Sequence, residues 1–344
     1  MTFWLVLPLA FVASFSLTAV LRKYALHRSL IDVPNARSSH SVPTPRGGGV
    51  AIVVVMAVSL AVLFFAGLAN ASLTWAVLGA GLAIALLGFA DDHGHIAARW
   101  RLLGHFLAAG WALFWLGGLP ALPVFGMTLE LGWIGHLLAL LFVVWMLNLY
   151  NFMDGIDGIA SIEAICVCLG ALLCYTVAAL ADGPNTLGYV ECLLAAAVAG
   201  FACWNFPWAR IFMGDAGSGF LGIAIAILAL NAAWSTPQLL WSWLILLGVF
   251  IVDATFTLFR RLLRGEAIYQ AHRSHAYQIA ARRLKRHAPV TLSVGLINLL
   301  WLLPLAAWVA YEGIDGAWAT VLAYVPLVGL AIWLGAGKAE AEEG

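Results

Sequence analysis

Long runs of apolar residues fill most of the chain, and short polar segments separate them. Runs of about 20 apolar residues match the length of an α-helix that crosses the hydrocarbon core of a bilayer. The pattern predicts eleven transmembrane helices, over residues 2–21, 48–68, 71–90, 102–118, 133–150, 162–181, 188–204, 218–234, 238–258, 290–310 and 317–335.

The predicted fold class is therefore all-α, a polytopic integral membrane protein. We expect one transmembrane helical domain over residues 1–335 and an acidic, disordered tail over residues 336–344. The segments that are polar enough to carry chemistry are the loops 22–47, 91–101, 148–161, 205–218 and 259–289.

Composition and charge agree with this architecture. Of the 344 residues, 63% are hydrophobic and only 10% are charged, a balance that no soluble fold needs. All 17 Lys and Arg residues fall on one side of the predicted membrane, which the positive-inside rule assigns to the cytoplasm. We therefore expect the N-terminus outside, the C-terminus in the cytoplasm, and no nucleic-acid partner.

The most polar stretch of the chain lies between two predicted helices, at residues 148–160. Asn148, Asn151, Asp154 and Asp157 follow one another at intervals of three residues. On a helical turn, residues three apart share a face. Such a face would present oxygen ligands to a hard cation such as Mg²⁺. The alternative is a solvated loop whose glycines end a helix.

Four further aspartates stand where chemistry is plausible. Asp91 and Asp92 are adjacent carboxylates that repel each other at a helix end, which makes them candidates for a base, or else a solvated terminus. Asp215 stands on a glycine-rich backbone that a metal and a diphosphate could approach, or it caps the next helix. Asp253 lies inside a predicted span and is functional by default, unless it forms an internal ion pair with an Arg.

Two loops contain candidate anion-binding groups. Arg46 precedes three glycines, and the N–H groups of Gly48 and its neighbours would open the next helix as an anion site. The loop after the ninth predicted helix contains His272, Arg273 and His275, which suit an anionic, hydroxyl-rich ligand.

These motifs resemble those of the polyprenyl-phosphate N-acetylhexosamine-1-phosphate transferases, glycosyltransferase family 4. The stretch NLYNFMDGIDGIA resembles the family signature, with Ile159 at a commoner Leu position. The D-D pair, the M-G-D-A-G-S segment around Asp215 and two loop motifs follow in the order of the family, between Asp32 and Gln278. The loop motifs resemble the branch that initiates O-antigen synthesis rather than the peptidoglycan enzyme, which has a His-rich triplet.

The resemblance implies transfer of a sugar 1-phosphate from a UDP-linked N-acetylated amino sugar to undecaprenyl phosphate in the bilayer of the bacterial inner membrane. It implies Mg²⁺, with Mn²⁺ as the alternative ion, held by Asn151 and Asp215. Asp91, together with Asp92, would deprotonate or orient the lipid phosphate, and Asp154 and Asp157 would shape the metal and nucleotide site. The substrate-binding candidates are Arg46, Gly48, Asn148, Asp253, His272, Arg273 and His275.

Several alternatives stay open at this point. Some family members place a Lys shortly after the D-D pair, where this chain offers His95 and Arg99. A carboxylate could act as a covalent nucleophile instead of a base. The rival function is a membrane transporter of a polar or anionic solute, although transporters place polar groups near the membrane midplane. The sequence names neither the donor sugar nor the oligomeric state.

Overall fold

The computed structural model describes residues 2–34, 40, 42–94, 96–178, 188–266 and 272–339. The first half of the chain forms α1 (Thr2–His27), α2 (Val50–Phe65), α3 (Ala71–His93), α4 (Ala98–Leu116), α5 (Gly132–Met153), α6 (Ile159–Val177) and α7 (Tyr189–Asn205). The second half forms α8 (Asp215–Ser235), α9 (Gln238–Leu246), α10 (Gly248–Leu263), α11 (Ala276–Leu284), α12 (Ala288–Ile297), α13 (Leu303–Ala310) and α14 (Gly316–Leu334).

Extended structure is limited to two short antiparallel pairs in the described residues. β1 (Ile31–Asp32) pairs with β2 (Thr44–Pro45), and β3 (Leu122–Val124) pairs with β4 (Met127–Leu129). Ile31 lies opposite Pro45 in the first pair, and Leu122 lies opposite Leu129 in the second. The predicted all-α, polytopic class is therefore confirmed.

Each predicted span coincides with helical structure over most of its described residues. By length and composition, seven of the described helices could cross a membrane, or eight if α9 and α10 are counted as one bent span. The seven include a single span over residues 288–310, in which a π-helical turn (Asn298–Leu302) joins α12 to α13. α2 and α7 are shorter apolar helices. The total of eleven crossings and the sidedness of the termini stay predictions.

The ninth predicted helix is not continuous, which corrects the sequence interpretation. α9 and α10 meet at Leu247 with a bend of 71°. Gly248 lies at the break, and a Cβ atom there would lie only 3.1 Å from the ring of Tyr324. Glycine is a common site of sharp helix bends. The bend turns α10, which contains Asp253, away from the direction of α9.

α8 lies at the centre of the bundle. Its residues from Ala216 to Leu230 are all buried, as expected for a helix that is apolar on all sides. α3 and α5 pack along α8, α4 packs on α3, and α1 packs on α7. The ends of α3 and α5 therefore lie beside the beginning of α8.

The described part of the predicted tail is attached to the bundle. The carbonyl of Ala336 accepts a hydrogen bond from Arg260, and the N–H of Gly337 donates to the carbonyl of Ser274. Ala336 and Gly337 thus contact the bundle, and the disordered tail stays a prediction. Residues 340–344 lie outside the described part of the chain.

Candidate active site

Two glycines allow α3 and α8 to bring their polar ends together. A Cβ atom at Gly88 would lie 2.5 Å from the carbonyl carbon of Asp215, so only glycine permits this approach. Gly214 has a φ of +78°, and a Cβ atom there would lie 2.8 Å from Oδ2 of Asp92. The carboxylates of Asp92 and Asp215 therefore face a common space.

That space is a cavity of about 230 Å³ between the helix ends. Its lining includes five of the predicted site residues, namely Arg46, Asp92, Asn151, Asp154 and Asp215. Three carboxylates and an amide around one small volume form an oxygen-rich donor set, which suits a hard cation. The nearby guanidinium suits the phosphates that such a cation bridges.

Asn151 is oriented by the first turn of α8. Its amide nitrogen donates to Oδ1 of Asp215 at 3.0 Å and to the hydroxyl of Ser218 at 2.9 Å. Ser218 donates in turn to the carbonyl of Gly214 at 3.2 Å. Because the amide nitrogen is used in this way, the side-chain oxygen of Asn151 is available as a ligand.

The residues present fit Mg²⁺ as a partly protein-bound ion. Within the described ranges, no three His, Cys, Asp or Glu side chains converge on one metal position. Mg²⁺ commonly takes one or two carboxylates and completes its shell with water and substrate phosphates. In addition, Oδ2 of Asp92 is buried and has no hydrogen-bond partner among the described residues. Burying a carboxylate oxygen without a partner costs free energy unless a ligand interacts with it.

Arg46 closes one side of the cavity. Its Nη2 donates to the backbone carbonyl of Asp92, and its Nη1 lies 3.9 Å from Oδ1 of the same residue. The backbone N–H of Arg46 donates to the carbonyl of Leu30, which fixes the loop before α2. Arg46 is thus held beside the carboxylate of Asp92, and its role in substrate binding stays a prediction.

Arg101 lies between the carboxylates of Asp91 and Asp215. This role was not predicted from the sequence. Its Nη1 lies 2.5 Å from Oδ2 of Asp91 and 3.7 Å from Oδ2 of Asp215. Asp91 also accepts a hydrogen bond of 2.8 Å from the N–H of Ile96. Both oxygens of Asp91 are therefore engaged, whereas Asp92 keeps one oxygen unpaired.

The basic residue after the aspartate pair is thus Arg101, ten positions beyond Asp91. Arg99, which the sequence offered for this place, instead lies with its guanidinium 5.7 Å from the centroid of the Trp100 ring. His95, the other candidate, lies outside the described residues. The pairing of Asp91 with Arg101 could not be found from spacing, because it depends on the turn between α3 and α4.

Asp154 and Asp157 do not share a helical face, contrary to the prediction. α5 ends at Met153, and Asp154 is its C-cap residue with φ −87° and ψ 52°. Asp154 lines the cavity between the helix ends, where burial and the carboxylates of Asp215 and Asp92 raise its pKa well above the ordinary value. Asp157 instead lies 3.2 Å from Nδ1 of His287 and lines a separate, basic cavity.

Asn148 faces a small side cavity of about 50 Å³ rather than the main one. Its amide nitrogen donates to the carbonyl of Val144 at 2.7 Å and lies 3.2 Å from Nδ1 of His105. Asp91, Arg101 and Asp215 also line this side cavity. Asn148 is therefore a neighbour of the charged cluster, one turn away from Asn151.

The N–H group of Gly48, which the sequence predicts to bind an anion, is hydrogen-bonded within the protein. The N–H of Gly48 donates to the carbonyl of Phe212 at 2.9 Å, so it is not available to an anion. A Cβ atom at Gly48 would lie 2.7 Å from the ring of Phe201. Gly48 therefore serves close packing between the start of α2 and the loop before α8, and binds no substrate through its N–H.

Asp253 anchors α11 and does not line the cavity between the helix ends; it lies instead on the lining of a second, mostly apolar cavity. Its Oδ1 accepts hydrogen bonds from the N–H of Ala276 at 2.8 Å and the hydroxyl of Thr257 at 3.1 Å. Its Oδ2 accepts from the N–H of Tyr277 at 2.9 Å. The contacts of Asp253 are therefore structural, and its role in substrate binding stays a prediction. The ion-pair partner expected as the alternative was an Arg, but the residue found there is His275, whose Nδ1 lies 3.3 Å from Oδ1 of Asp253.

The candidates of the 259–289 loop, His272, Arg273 and His275, do not line the cavity between the helix ends. His275 is buried and is the N-cap residue of α11. Burial, together with the nearby charges of His275 and Arg261, lowers the pKa of His272 to about 3, so His272 is neutral at physiological pH. Arg273 lies beside them, and its carbonyl accepts a hydrogen bond from Arg282. From this helix, Gln278 is the residue that reaches the cavity.

Comparison with known proteins decides the family. Residues 74–233 match the model of glycosyl transferase family 4. A probable undecaprenyl-phosphate N-acetylglucosaminyl 1-phosphate transferase of Bacillus subtilis is 31% identical over 292 residues, which are 83% of this chain and 79% of that protein. The chain belongs to glycosyl transferase family 4.

Other relatives of this family 4 protein have related names. A decaprenyl-phosphate N-acetylglucosaminephosphotransferase of Mycobacterium tuberculosis is 29% identical over 324 residues, covering 83% of this chain and 78% of the relative. A phospho-N-acetylmuramoyl-pentapeptide-transferase of Moorella thermoacetica is 36% identical over 204 residues, covering 54% of this chain and 61% of the relative. The matched family segment contains Asp91, Asp92, Asn151, Asp154 and Asp215.

Proposed function

We propose that this family 4 protein transfers a sugar 1-phosphate from a UDP-linked N-acetylated amino sugar to undecaprenyl phosphate and releases UMP. The observation that carries the proposal is the cavity in which Asp92, Asp154 and Asp215 meet Arg46 at one end of a helical bundle. The names of the relatives support a polyprenyl phosphate acceptor and an N-acetylated amino sugar donor.

In the proposed reaction, an oxygen of the lipid phosphate attacks the β-phosphorus of the UDP-sugar. A new P–O bond forms between the two phosphates, and the bond to the bridging oxygen of UMP breaks, with the electron pair leaving on UMP. Phosphoryl transfer of this kind depends mainly on positioning and on neutralisation of charge. Arg46 and Arg101 supply fixed positive charge beside the site.

Asp92 is the better candidate for the residue that receives a proton from the lipid phosphate or orients it. Its Oδ2 is buried and meets no donor at full hydrogen-bonding geometry in the described ranges, although the backbone N–H groups of Asp215 and Ala216 lie close enough to interact with this carboxylate. Both oxygens of Asp91, in contrast, are engaged by Arg101 and Ile96. Asp91 then acts through Arg101, whose guanidinium it holds near Asp215. This assignment reverses the order expected from the sequence.

Asn151 and Asp215 would hold Mg²⁺, with Mn²⁺ as the alternative ion. Bound there, the ion would neutralise the charge of the donor diphosphate. The protein's own contribution is to fix the two ligands relative to each other, through the hydrogen bond between Asn151 and Asp215. Asp154 adds a third carboxyl group to the same space.

The proposed location is the bacterial inner membrane, with the cavity at the cytoplasmic face. The support for this location is that all 17 basic residues fall on the predicted cytoplasmic side. The motifs of the two loops favour a role in the initiation of O-antigen or a related envelope polysaccharide. A transporter is disfavoured because the charged cluster lies at helix ends rather than on broken helices at the midplane.

The test is to incubate the purified full-length protein with undecaprenyl phosphate and a panel of UDP-linked sugars, with N-acetylglucosamine, N-acetylfucosamine and N-acetylquinovosamine as donors. We expect release of UMP in equal amount to the lipid-linked product, dependent on acceptor and divalent ion. Release of UDP would show transfer of the sugar alone and would contradict the proposal. Asp215→Asn is the matched inactive control.

A further inference from the structure

A second cavity, an apolar groove of about 210 Å³, lies between α10, α11, α12 and α14. Most of its lining is aliphatic or aromatic, and includes Ala280, Leu284, Val294, Leu330 and Trp333. Apolar side chains such as these suit a hydrocarbon chain and offer little to a polar solute. The groove contains none of the residues of the proposed reaction.

A fixed cation stands at the rim of this groove. Nη2 of Arg283 donates to the carbonyl of Leu334 at 2.9 Å, and the guanidinium lies 5.8 Å from the centroid of the Trp333 ring. Trp333 and Leu334 both line the groove. Lys285 and Arg286 follow the end of α11 but line the separate basic cavity beside Asp157, so Arg283 supplies the positive charge at this rim. The rim is therefore basic while the interior is apolar.

The rim lies at the depth expected for lipid headgroups. Trp333 is 72% exposed and belongs to the last turn of α14, which is long and apolar enough to cross a membrane. Exposed tryptophans are enriched at the boundary between hydrocarbon and water. Leu284 is 55% exposed on the same rim. Apolar surface and positive charge thus meet at the level where a lipid phosphate lies.

A wall separates the groove from the catalytic cavity. Tyr277 lines the groove, and its hydroxyl donates to the carbonyl of Phe152 at 2.9 Å. A Cβ atom at Gly155, which lines the catalytic cavity, would lie 2.1 Å from the same hydroxyl. A phosphate at the rim therefore faces Arg283 and not Asp92 or Asp215. The wall is continuous with the last turn of α5, which contains Asn151 and is capped by Asp154.

We propose that this groove binds one acyl chain of an anionic glycerophospholipid from the surrounding bilayer, with its phosphate on Arg283. The basic rim favours an anionic headgroup over a zwitterionic one. The wall at Tyr277 excludes the reacting lipid phosphate as the occupant. The bound lipid supports the helix whose N-terminus Asp253 holds, and through Tyr277 it supports the active-site turn. The inference does not depend on the proposed reaction.

The test is native mass spectrometry of the full-length protein in detergent, titrated with phosphatidylglycerol or with phosphatidylcholine. We expect one tightly bound phosphatidylglycerol and weaker phosphatidylcholine. Arg283→Gln should weaken phosphatidylglycerol binding about fivefold, the roughly 1 kcal/mol that one basic residue contributes beside an anionic lipid. The matched control is Arg99→Gln, because Arg99 also stacks on a tryptophan, Trp100, away from the groove.

A second pair of variants tests the groove itself. Ser293 is exposed and lines the groove, so Ser293→Phe should fill it and remove the bound lipid without disturbing the core. Leu292→Phe, at an exposed neighbouring position outside the lining, should leave binding unchanged. Equal binding of the two lipids, with Arg283→Gln silent, would overturn the proposal. So would displacement of the lipid by undecaprenyl phosphate, or a change from dimer to monomer in Ser293→Phe, because either result assigns the groove to another occupant.

Discussion

The amide nitrogen of Asn151 lies 3.0 Å from Oδ1 of Asp215, although the two residues are 64 positions apart. This hydrogen bond connects the end of α5 to the beginning of α8, and the helices pack along each other from that point. A pair of this kind fixes the spacing of two oxygen ligands before any ion binds. The relationship gives the metal proposal its most direct test.

We predict that Asp215→Asn abolishes measurable transfer and that Asn151→Ala comes close to it, with a loss of at least about 10²-fold in either case. The reason is that Asp215→Asn removes the negative charge and one oxygen of a proposed metal ligand, and Asn151→Ala removes the other ligand's oxygen and its hydrogen bond to Asp215. UMP release should be measured across a range of Mg²⁺ concentrations. Ser218→Ala, which removes the hydroxyl that accepts from Asn151 and donates to Gly214 but no proposed metal ligand, is the control and should lose less. Near-normal activity of Asp215→Asn would remove the metal assignment.

Arg101 provides an independent test on the other side of Asp215. We predict that Arg101→Gln lowers kcat/KM about 10- to 100-fold, because a charge-assisted contact of about 1.5–3 kcal/mol is lost and Asp91 and Asp215 are left without a shared cation. Arg101→Lys should recover only part of this loss, since one ammonium cannot replace the planar fork of a guanidinium. The control is Arg99→Gln, which should behave as wild type. Equal losses in Arg99→Gln and Arg101→Gln would contradict the assignment.

The hydrophobic pattern predicted where helices form but not how they turn at their ends. Within the described residues the apolar runs are mostly helical, because membrane-length apolar segments satisfy their backbone hydrogen bonds internally. The run 238–258 gave no sign of a break, since a single Gly248 in an apolar sequence is common in transmembrane helices. At the bend, Gly248 packs closely against Tyr324, which lies far away in the sequence and could not be placed there from the pattern.

The site was predictable where a motif is continuous in sequence, and not where it depends on contacts between segments. Arg46, Asn151, Asp154 and Asp215 all reached the cavity. Gly48 did not act as an anion site because its N–H is taken by the carbonyl of Phe212, 164 residues later. The contact of Arg101 with Asp91 was not predicted for the same reason, since periodicity cannot show which residue after the turn between α3 and α4 faces Asp91.

Asp253 tests the distinction between a structural and a functional carboxylate. We predict that Asp253→Asn lowers the melting temperature in detergent, because the amide nitrogen of Asn would face the N–H donors of α11 and leave at least one of them unsatisfied, at a cost of about 1–3 kcal/mol. Activity per folded molecule should change little, and KM for the donor should stay constant. A large rise in KM with an unchanged melting temperature would instead indicate that Asp253 binds the substrate.

Variants of the aspartate pair at the end of α3 test whether Asp92 or Asp91 prepares the lipid phosphate. Asp92→Asn keeps the shape of the side chain but removes its charge and its capacity to accept a proton. If Asp92 prepares the lipid phosphate, this variant should lose about 10² to 10⁴ in turnover and keep binding of the UDP-sugar. Asp91→Asn should lose less, because a neutral amide oxygen can still accept from Arg101. UMP release and donor binding should be measured for both variants at saturating acceptor.

The pH dependence of the same variants decides between a base and a fixed charge. The second pKa of a phosphate monoester is about 6. At pH 8 the acceptor is therefore mostly dianionic and needs no base, whereas at pH 6 about half of it still carries the proton that must be removed. The ratio of wild-type to Asp92→Asn rates should thus fall as pH rises from 6 to 8. A constant ratio would assign Asp92 an electrostatic role, and a ratio that falls only for Asp91→Asn would restore Asp91 as the base despite its contact with Arg101.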